Sequence, residues 1–157
     1  MTSPLHQDVN KVPRCKKGYR LLAGTCIKLV VSSELFGLIK AGKFYHHAKL
    51  DCWMEGATLA MPKTEELDVA LRDLVKTEGG NKEHWIGMEE KDGTWYWVDG
   101  SKVGHNGYTG WNPGEPTYYR WPPRCGQYWS GRTGYPMWDD EGCSRRMRWF
   151  ICQHPPS

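Results

Sequence analysis

Residues 138–152 read Trp-Asp-Asp-Glu-Gly-Cys-Ser-Arg-Arg-Met-Arg-Trp-Phe-Ile-Cys. The last part of this stretch is apolar and aromatic, and Arg148 to Gln153 reads as a short closing strand. Between its two cysteines lies Arg145-Arg146-Met147-Arg148, the one continuous basic run in the chain. Its ordinary reading is a solvated strand face with a mild preference for anions. Ahead of that run stand two consecutive carboxylates, Asp139 and Asp140, beside Trp138. Paired acids suit either hydrolysis or a cluster of hard oxygen ligands, and the rest of the chain has to choose.

The cysteines of this stretch belong to a set of six, at positions 15, 26, 52, 125, 143 and 152. An even number with wide, irregular spacing indicates three disulfides formed in an oxidising compartment. Spacing alone leaves every pairing open. There is no C-x-x-C, which argues against a zinc ribbon or a thioredoxin-like redox site. At 157 residues the chain suits one domain with a real core. Its 9 Trp, 18 Gly and 10 Pro favour a loop-rich domain over a helical bundle. A net charge of +3 is too small to indicate nucleic acid. No segment approaches the ~20 apolar residues of a membrane span. The start, Met1-Thr2-Ser3-Pro4, has no apolar secretory core, so any signal or anchor is expected to have been removed.

Residues 1–14 are polar and aperiodic and read as a flexible lead-in to a domain at 15–157. A strand pair is expected at Tyr19-Arg20-Leu21-Leu22 and Thr25-Cys26-Ile27-Lys28-Leu29, joined at Ala23-Gly24. Val30 to Lys43 fits either a helical turn or a hydrophobic loop. A helix from Phe44 to Glu55 places Tyr45, Ala48 and Cys52 on one face. A second, from Thr64 to Thr77, has Thr64 as N-cap, Glu65 and Glu66 at the positive end of its dipole, and Leu67, Ala70, Leu71 and Leu74 as buried stripe. Strands follow at Trp85–Met88 and Thr94–Val98, the second closed by a turn at Asp99-Gly100. Residues 101–137 read as one long loop, which in a compact domain is functional or wrongly assigned. Helices followed by short strands make an α+β domain.

With these segments placed, the sequence resembles the C-type lectin-like domain family over roughly residues 15–153. The residues carrying the likeness are Cys15 with Cys26, Tyr45-x-x-Ala48-x-x-x-Cys52, Trp85-Ile86-Gly87 and Trp97-Val98-Asp99-Gly100. They continue with Trp111-Asn112-Pro113-Gly114-Glu115-Pro116, Cys125, Trp138-Asp139-Asp140, Cys143 and Phe150-Ile151-Cys152. The resemblance implies a double-loop fold with two helices, short antiparallel strands and disulfides Cys15–Cys26, Cys52–Cys152 and Cys125–Cys143. It also implies a ligand site in the long loop.

Sugar-binding members hold a calcium ion there, between a Glu-Pro-Asn segment, a further acid and an Asn-Asp pair. Ca²⁺ takes about 6–8 oxygens, and two vicinal sugar hydroxyls can complete the shell. Carried over residue by residue, Glu115, Pro116 and Asp140 match. Thr117 replaces an amide with a shorter hydroxyl, and Asp139 replaces an amide with a carboxylate. The further acid falls at Pro123, which has no ligand to offer, and Arg124 beside it is expected to repel a cation. The implied calcium ligands are therefore Glu115, Thr117, Asp139 and Asp140, with affinity below that of an intact site. Without a metal, Glu115 would pair with an arginine and the two aspartates would cap a turn.

The Glu115-Pro116 start resembles members that prefer mannose, glucose or N-acetylglucosamine. Tyr118, Tyr119 and Trp121, with Tyr128 and Trp129, decorate the expected ligand loop and can stack on sugar faces or contact protein. Trp85, Trp95, Trp97, Trp111, Trp138 and Trp149 are expected in the core. No catalytic motif is present, so binding rather than enzymatic activity is expected. The resulting expectation is an extracellular, calcium-dependent lectin domain binding glycans. The competing reading is a metal-independent domain recognising protein.

Overall fold

The computed structural model describes residues 11–31, 42–117 and 121–157. Residues 1–10, most of the ambiguous stretch from Val30 to Lys43, and Tyr118 and Tyr119 lie outside the described residues. Strand β1 (Arg20–Leu22) turns at Ala23-Gly24 into β2 (Thr25–Val30). The turn places Ala23 and Gly24 at φ 48° and 78°, the left-handed geometry of a two-residue hairpin. Helix α1 covers Tyr45–Met54 and buries Tyr45, Ala48 and Cys52, the three positions expected on its inner face. Strand β3 (Thr58–Leu59) then leads to helix α2 (Glu65–Thr77). The Thr64 side chain accepts a hydrogen bond from Leu67 N at 3.2 Å, the N-cap expected from sequence.

The remaining strands are β4 (His84–Lys91), β5 (Thr94–Trp97), β6 (Arg124–Trp129), β7 (Met137–Gly142) and β8 (Trp149–His154). The main sheet runs β1-β2-β8-β4-β6-β7, with β3 on β8 and β5 on β4. All pairs are antiparallel except β4 with β8, which makes the sheet mixed. The long loop therefore ends at Pro123, because β6 and β7 occupy part of the span expected to be irregular. Arg, Cys, Gly and Gln have little strand propensity, and pairing with β4 and β7 overrides it.

Alternation along β4 and β8 divides the core between the two faces of the sheet. Ile86, Met88 and Ile151 pack with Leu67, Leu71, Leu74 and Val75 of α2 and with Trp95, Trp97, Tyr128 and Trp138. Trp85, Phe150 and Cys152 pack with Tyr45, Ala48 and Cys52 of α1 and with Cys125 and Cys143. Tyr128, expected on the ligand loop, is instead fully buried in β6. The three disulfides are Cys15–Cys26, Cys52–Cys152 and Cys125–Cys143. Cys52–Cys152 ties α1 to β8 across 100 residues of sequence, worth about 4–5 kcal/mol in the chain-entropy account. At the ends, Arg14 and Ser157 exchange backbone hydrogen bonds at 3.0 Å in both directions.

Candidate functional site

The site is assembled from the β6–β7 hairpin and the segment Gly110–Thr117. Trp138 N donates to Gly110 O at 3.0 Å, and Trp138 O accepts from Asn112 N at 2.9 Å. The Asn112 side chain adds a second donor to the same carbonyl at 3.0 Å. This lays the Trp111-Asn112 strip against the start of β7, with Trp111 bridged to Trp138. Glu115 N donates to Asn112 O at 2.9 Å, and the Glu115–Pro116 bond that follows is cis. The chain then turns Thr117 onto Asp140: its N–H and hydroxyl donate to Oδ1 at 3.1 and 3.4 Å.

On the strand side, register sets Asp139 opposite Gln127 and Asp140 opposite Gly126. Gln127 Nε2 donates to Asp139 Oδ2 at 2.9 Å, and Arg148 Nε donates to Gln127 Oε1 at 3.1 Å. One carboxylate oxygen from each of Glu115, Asp139 and Asp140 lies within 4.8 Å of the others. These groups line an open pocket of about 670 Å³ together with Thr117, Gln127, Trp129, Glu83, Glu141 and three arginines.

Three carboxylates this close and this sheltered cannot all hold charge comfortably. Burial pushes the Asp139 carboxyl up to about 7; Gln127 opposes the rise, and the charges of Glu115 and Asp140 add to it. Burial also raises Glu115, reinforced by its contact with Asp140. The opposing cation is Arg132, whose Nη2 lies 3.1 Å from Glu115 Oε1. The Glu115 side chain is only 3% exposed while that of Arg132 is 44% exposed, so the clamp reaches in from solvent. Glu115 Oε2 is buried with no hydrogen-bond partner among the described residues. A buried carboxylate oxygen left without a donor is costly, and a cation or a proton would relieve it.

The donor set fits a hard divalent cation. Three carboxylates and the Thr117 hydroxyl supply oxygen only, and one of these carboxylates, Glu115, carries the buried Oε2 without a hydrogen-bond partner among the described residues. Pro123, at the expected fifth position, contributes its carbonyl to Cys143 N at 3.1 Å and no side-chain ligand. Arg124 differs from expectation. It pairs with Glu90 at 2.9 Å and is absent from the pocket lining, because alternation along β6 sends Gln127 and Trp129 to the pocket and Arg124 to the other face. Among the described residues the cation paired with Glu115 is Arg132, which the sequence does not single out.

Among the expected aromatics, Trp129 lines the pocket with Arg132 5.8 Å from its ring centroid. Trp121 is 87% exposed and stands outside the lining. Gln127, Arg132 and Glu141 were also not expected at the site. They arrive there through strand register and loop return, for which no local pattern exists.

A second acidic centre supports the loop from below. Asp68 on α2 is fully buried and accepts from Tyr128 Oη at 2.5 Å, Trp138 Nε1 at 2.9 Å and the Tyr108 hydroxyl. Arg72 pairs with Asp68 at 2.6 Å and donates to Gly110 O at 3.1 Å. A Cβ on Gly110 would sit 2.4 Å from Asp68 Oδ2, so only glycine admits this approach.

Comparison with known proteins agrees with this fold. A family model for the lectin C-type domain matches residues 41–154. Rat C-type lectin domain family 10 member A is 29% identical over 115 residues, which cover 73% of this chain and 36% of that protein. The chain spans between 30% and 41% of the length of the first curated relatives it matches. Among solved structures, the SPL-1–GlcNAc complex has a TM-score of 0.74 at 20% identity, covering 89% of this chain and 94% of that one. The Ca²⁺-independent C-type lectin SPL-2 from Saxidomus purpuratus has a TM-score of 0.72 at 19% identity, covering 89% and 93%. At such identities the likeness is one of fold. The family match takes in both helices, all strands from β3 onward and the long loop, and the chain belongs to the C-type lectin domain family.

Proposed function

We propose that the long-loop pocket is a calcium-dependent carbohydrate site with Glu115, Thr117, Asp139 and Asp140 as metal ligands. The observation that carries this reading is the convergence of three sheltered carboxylates, one with an oxygen lacking a hydrogen-bond partner among the described residues. Bound Ca²⁺ would supply an oxygen-seeking centre able to take two vicinal sugar hydroxyls. The residues then act as a preorganised cradle. Asp140 is held by Thr117 and Asp139 by Gln127, so carboxylate oxygens are fixed before ligand arrives. The Glu115-Pro116 start favours mannose, glucose and N-acetylglucosamine, and Trp121, Tyr118 and Tyr119 are aromatic candidates for sugar contact. The role is binding, with no catalytic residue assigned. Three disulfides support an extracellular setting. No described helix is long and apolar enough to cross a membrane.

The second reading is a metal-independent domain that recognises protein. Its support is the Arg132–Glu115 ion pair, which already supplies a positive charge, together with the exposed Trp121. A glycan array run with calcium and with chelator separates the two. Calcium-dependent sugar binding lost in Glu115→Gln supports the lectin reading. Binding indifferent to chelator and to Glu115→Gln contradicts it.

A further inference from the structure

We infer that the sugar taken by this pocket carries an acidic substituent, a sulfate ester or a carboxylate, seated on Arg146 and Arg148. The inference rests on the proposed carbohydrate site and names its ligand class. The same pocket that gathers Glu115, Asp139 and Asp140 is also lined by Arg132, Arg146 and Arg148. The three arginines have different duties. Arg132 is engaged with Glu115. Arg148 is anchored through Nε to Gln127, while its two Nη contacts are long, 3.4 Å to Met147 O and 3.8 Å to Glu141. Arg146 is exposed and makes no ion pair or hydrogen bond among the described residues. A guanidinium has five N–H donors in a planar fork, so this end of the pocket keeps unused donors suited to an oxyanion.

Gln127 links the two ends. Its amide gives Nε2–H to Asp139 and accepts from Arg148 Nε, so one side chain fixes the spacing between the hydroxyl-binding acids and the anion-binding arginines. Five carboxyls (Glu83, Glu115, Asp139, Asp140 and Glu141) face the three guanidiniums. A divalent cation at the acidic end would lower the negative charge of the pocket, reducing the repulsion an acidic ligand meets in the metal-free state. Arg145, the first arginine of the basic run, is not part of the lining. The run is also not a strand face: it lies in the turn and irregular segment before β8, which begins at Trp149.

The test compares methyl N-acetylglucosaminide, its 6-sulfate and methyl glucuronide on the calcium-loaded protein by calorimetry, at low and high sodium chloride. At least one acidic probe should bind about three- to fivefold tighter than the neutral sugar at low salt, with the difference shrinking as salt rises. Arg146→Gln should reduce that preference while leaving neutral-sugar affinity unchanged, and Arg146→Gln/Arg148→Gln should abolish it. Whichever acidic probe shows the gain identifies the substituent. Equal affinity for acidic and neutral sugars overturns the inference and leaves the lectin reading standing, as does a preference that survives in the double variant. Failure of every sugar to bind overturns both.

Discussion

Two buried acidic centres lie within one network of strands, and they are built in opposite ways. Asp68 has one carboxylate and four donors, from Tyr108, Tyr128, Trp138 and Arg72. The long-loop cluster spreads donors from Arg132, Gln127 and Thr117 over three carboxylates, with Arg132 reaching in from solvent and Glu115 Oε2 lacking a hydrogen-bond partner among the described residues. An ionised carboxylate offers about four acceptor sites, so Asp68 is saturated. Saturation makes Asp68 a structural post that fixes Trp138 and Gly110, and thereby the floor of the loop. The unsaturated cluster carries a standing electrostatic cost that a ligand can relieve. Burial alone therefore does not separate support from function, whereas the balance of donors to acceptors does.

Removing Asp68 should have the largest effect. Asp68→Ala leaves Arg72 buried beside three orphaned donors and should destabilise the fold by about 3–5 kcal/mol, read as a fall in Tm. Asp139→Asn should behave in the opposite manner in chelator, holding or raising Tm, while eliminating the Tm gain on adding calcium.

The pH dependence sharpens this contrast. Folding raises the Asp139 carboxyl from its usual 3.8 to about 7. The folded state thus binds the proton more tightly, and the associated stability is present below about pH 4 and lost as pH rises through about 7. His84 moves the other way: burial lowers it from 6.5 to about 4, so its contribution is present above 6.5 and lost as pH falls through about 4. The difference between wild type and Asp139→Asn cancels the histidine. In chelator, Tm of the wild type relative to that variant should decline between about pH 4 and pH 8, and calcium should flatten the decline. A pH-independent difference would mean that burial, with the charges of Glu115 and Asp140, does not raise the Asp139 carboxyl.

Smaller effects test the two arginines near the loop. Arg132→Ala frees Glu115 Oε1 and should raise calcium affinity by about three- to tenfold, since a partly exposed ion pair must otherwise be broken. Arg124→Ala should change calcium affinity by less than about twofold, because its charge is engaged with Glu90 on the other face of β6. Isothermal titration of both variants checks the ordering.

Much of this was legible in the sequence because it is local. The Tyr45, Ala48, Cys52 spacing and the Thr64 cap are written within a few residues and were found where expected. The Asp92-Gly93 turn between β4 and β5, with φ 51° and 81°, is equally local. Family likeness supplied the disulfide pairs and the four residues Glu115, Thr117, Asp139 and Asp140, which the fold does bring together around one pocket. Partners set by long-range register were not legible. Gln127 faces Asp139 only because β6 and β7 pair in one alignment. Arg132 reaches Glu115 across a loop return. Asp68 looks in sequence like a solvated helix residue and is in fact fully buried. Tyr128 was misassigned for the related reason that β6, being poor in strand formers, hid its own alternation.

On the proposed reading, the three carboxylates of Glu115, Asp139 and Asp140 hold a cation. The most direct test is calorimetric titration of the chelator-treated protein with Ca²⁺ at neutral pH, beside Asp139→Asn. One site in the wild type, of millimolar affinity or tighter and absent from the variant, is the predicted result. A wild type that gives no heat and no Tm shift at several times that concentration, or a variant that binds equally well, contradicts cation binding by this cluster.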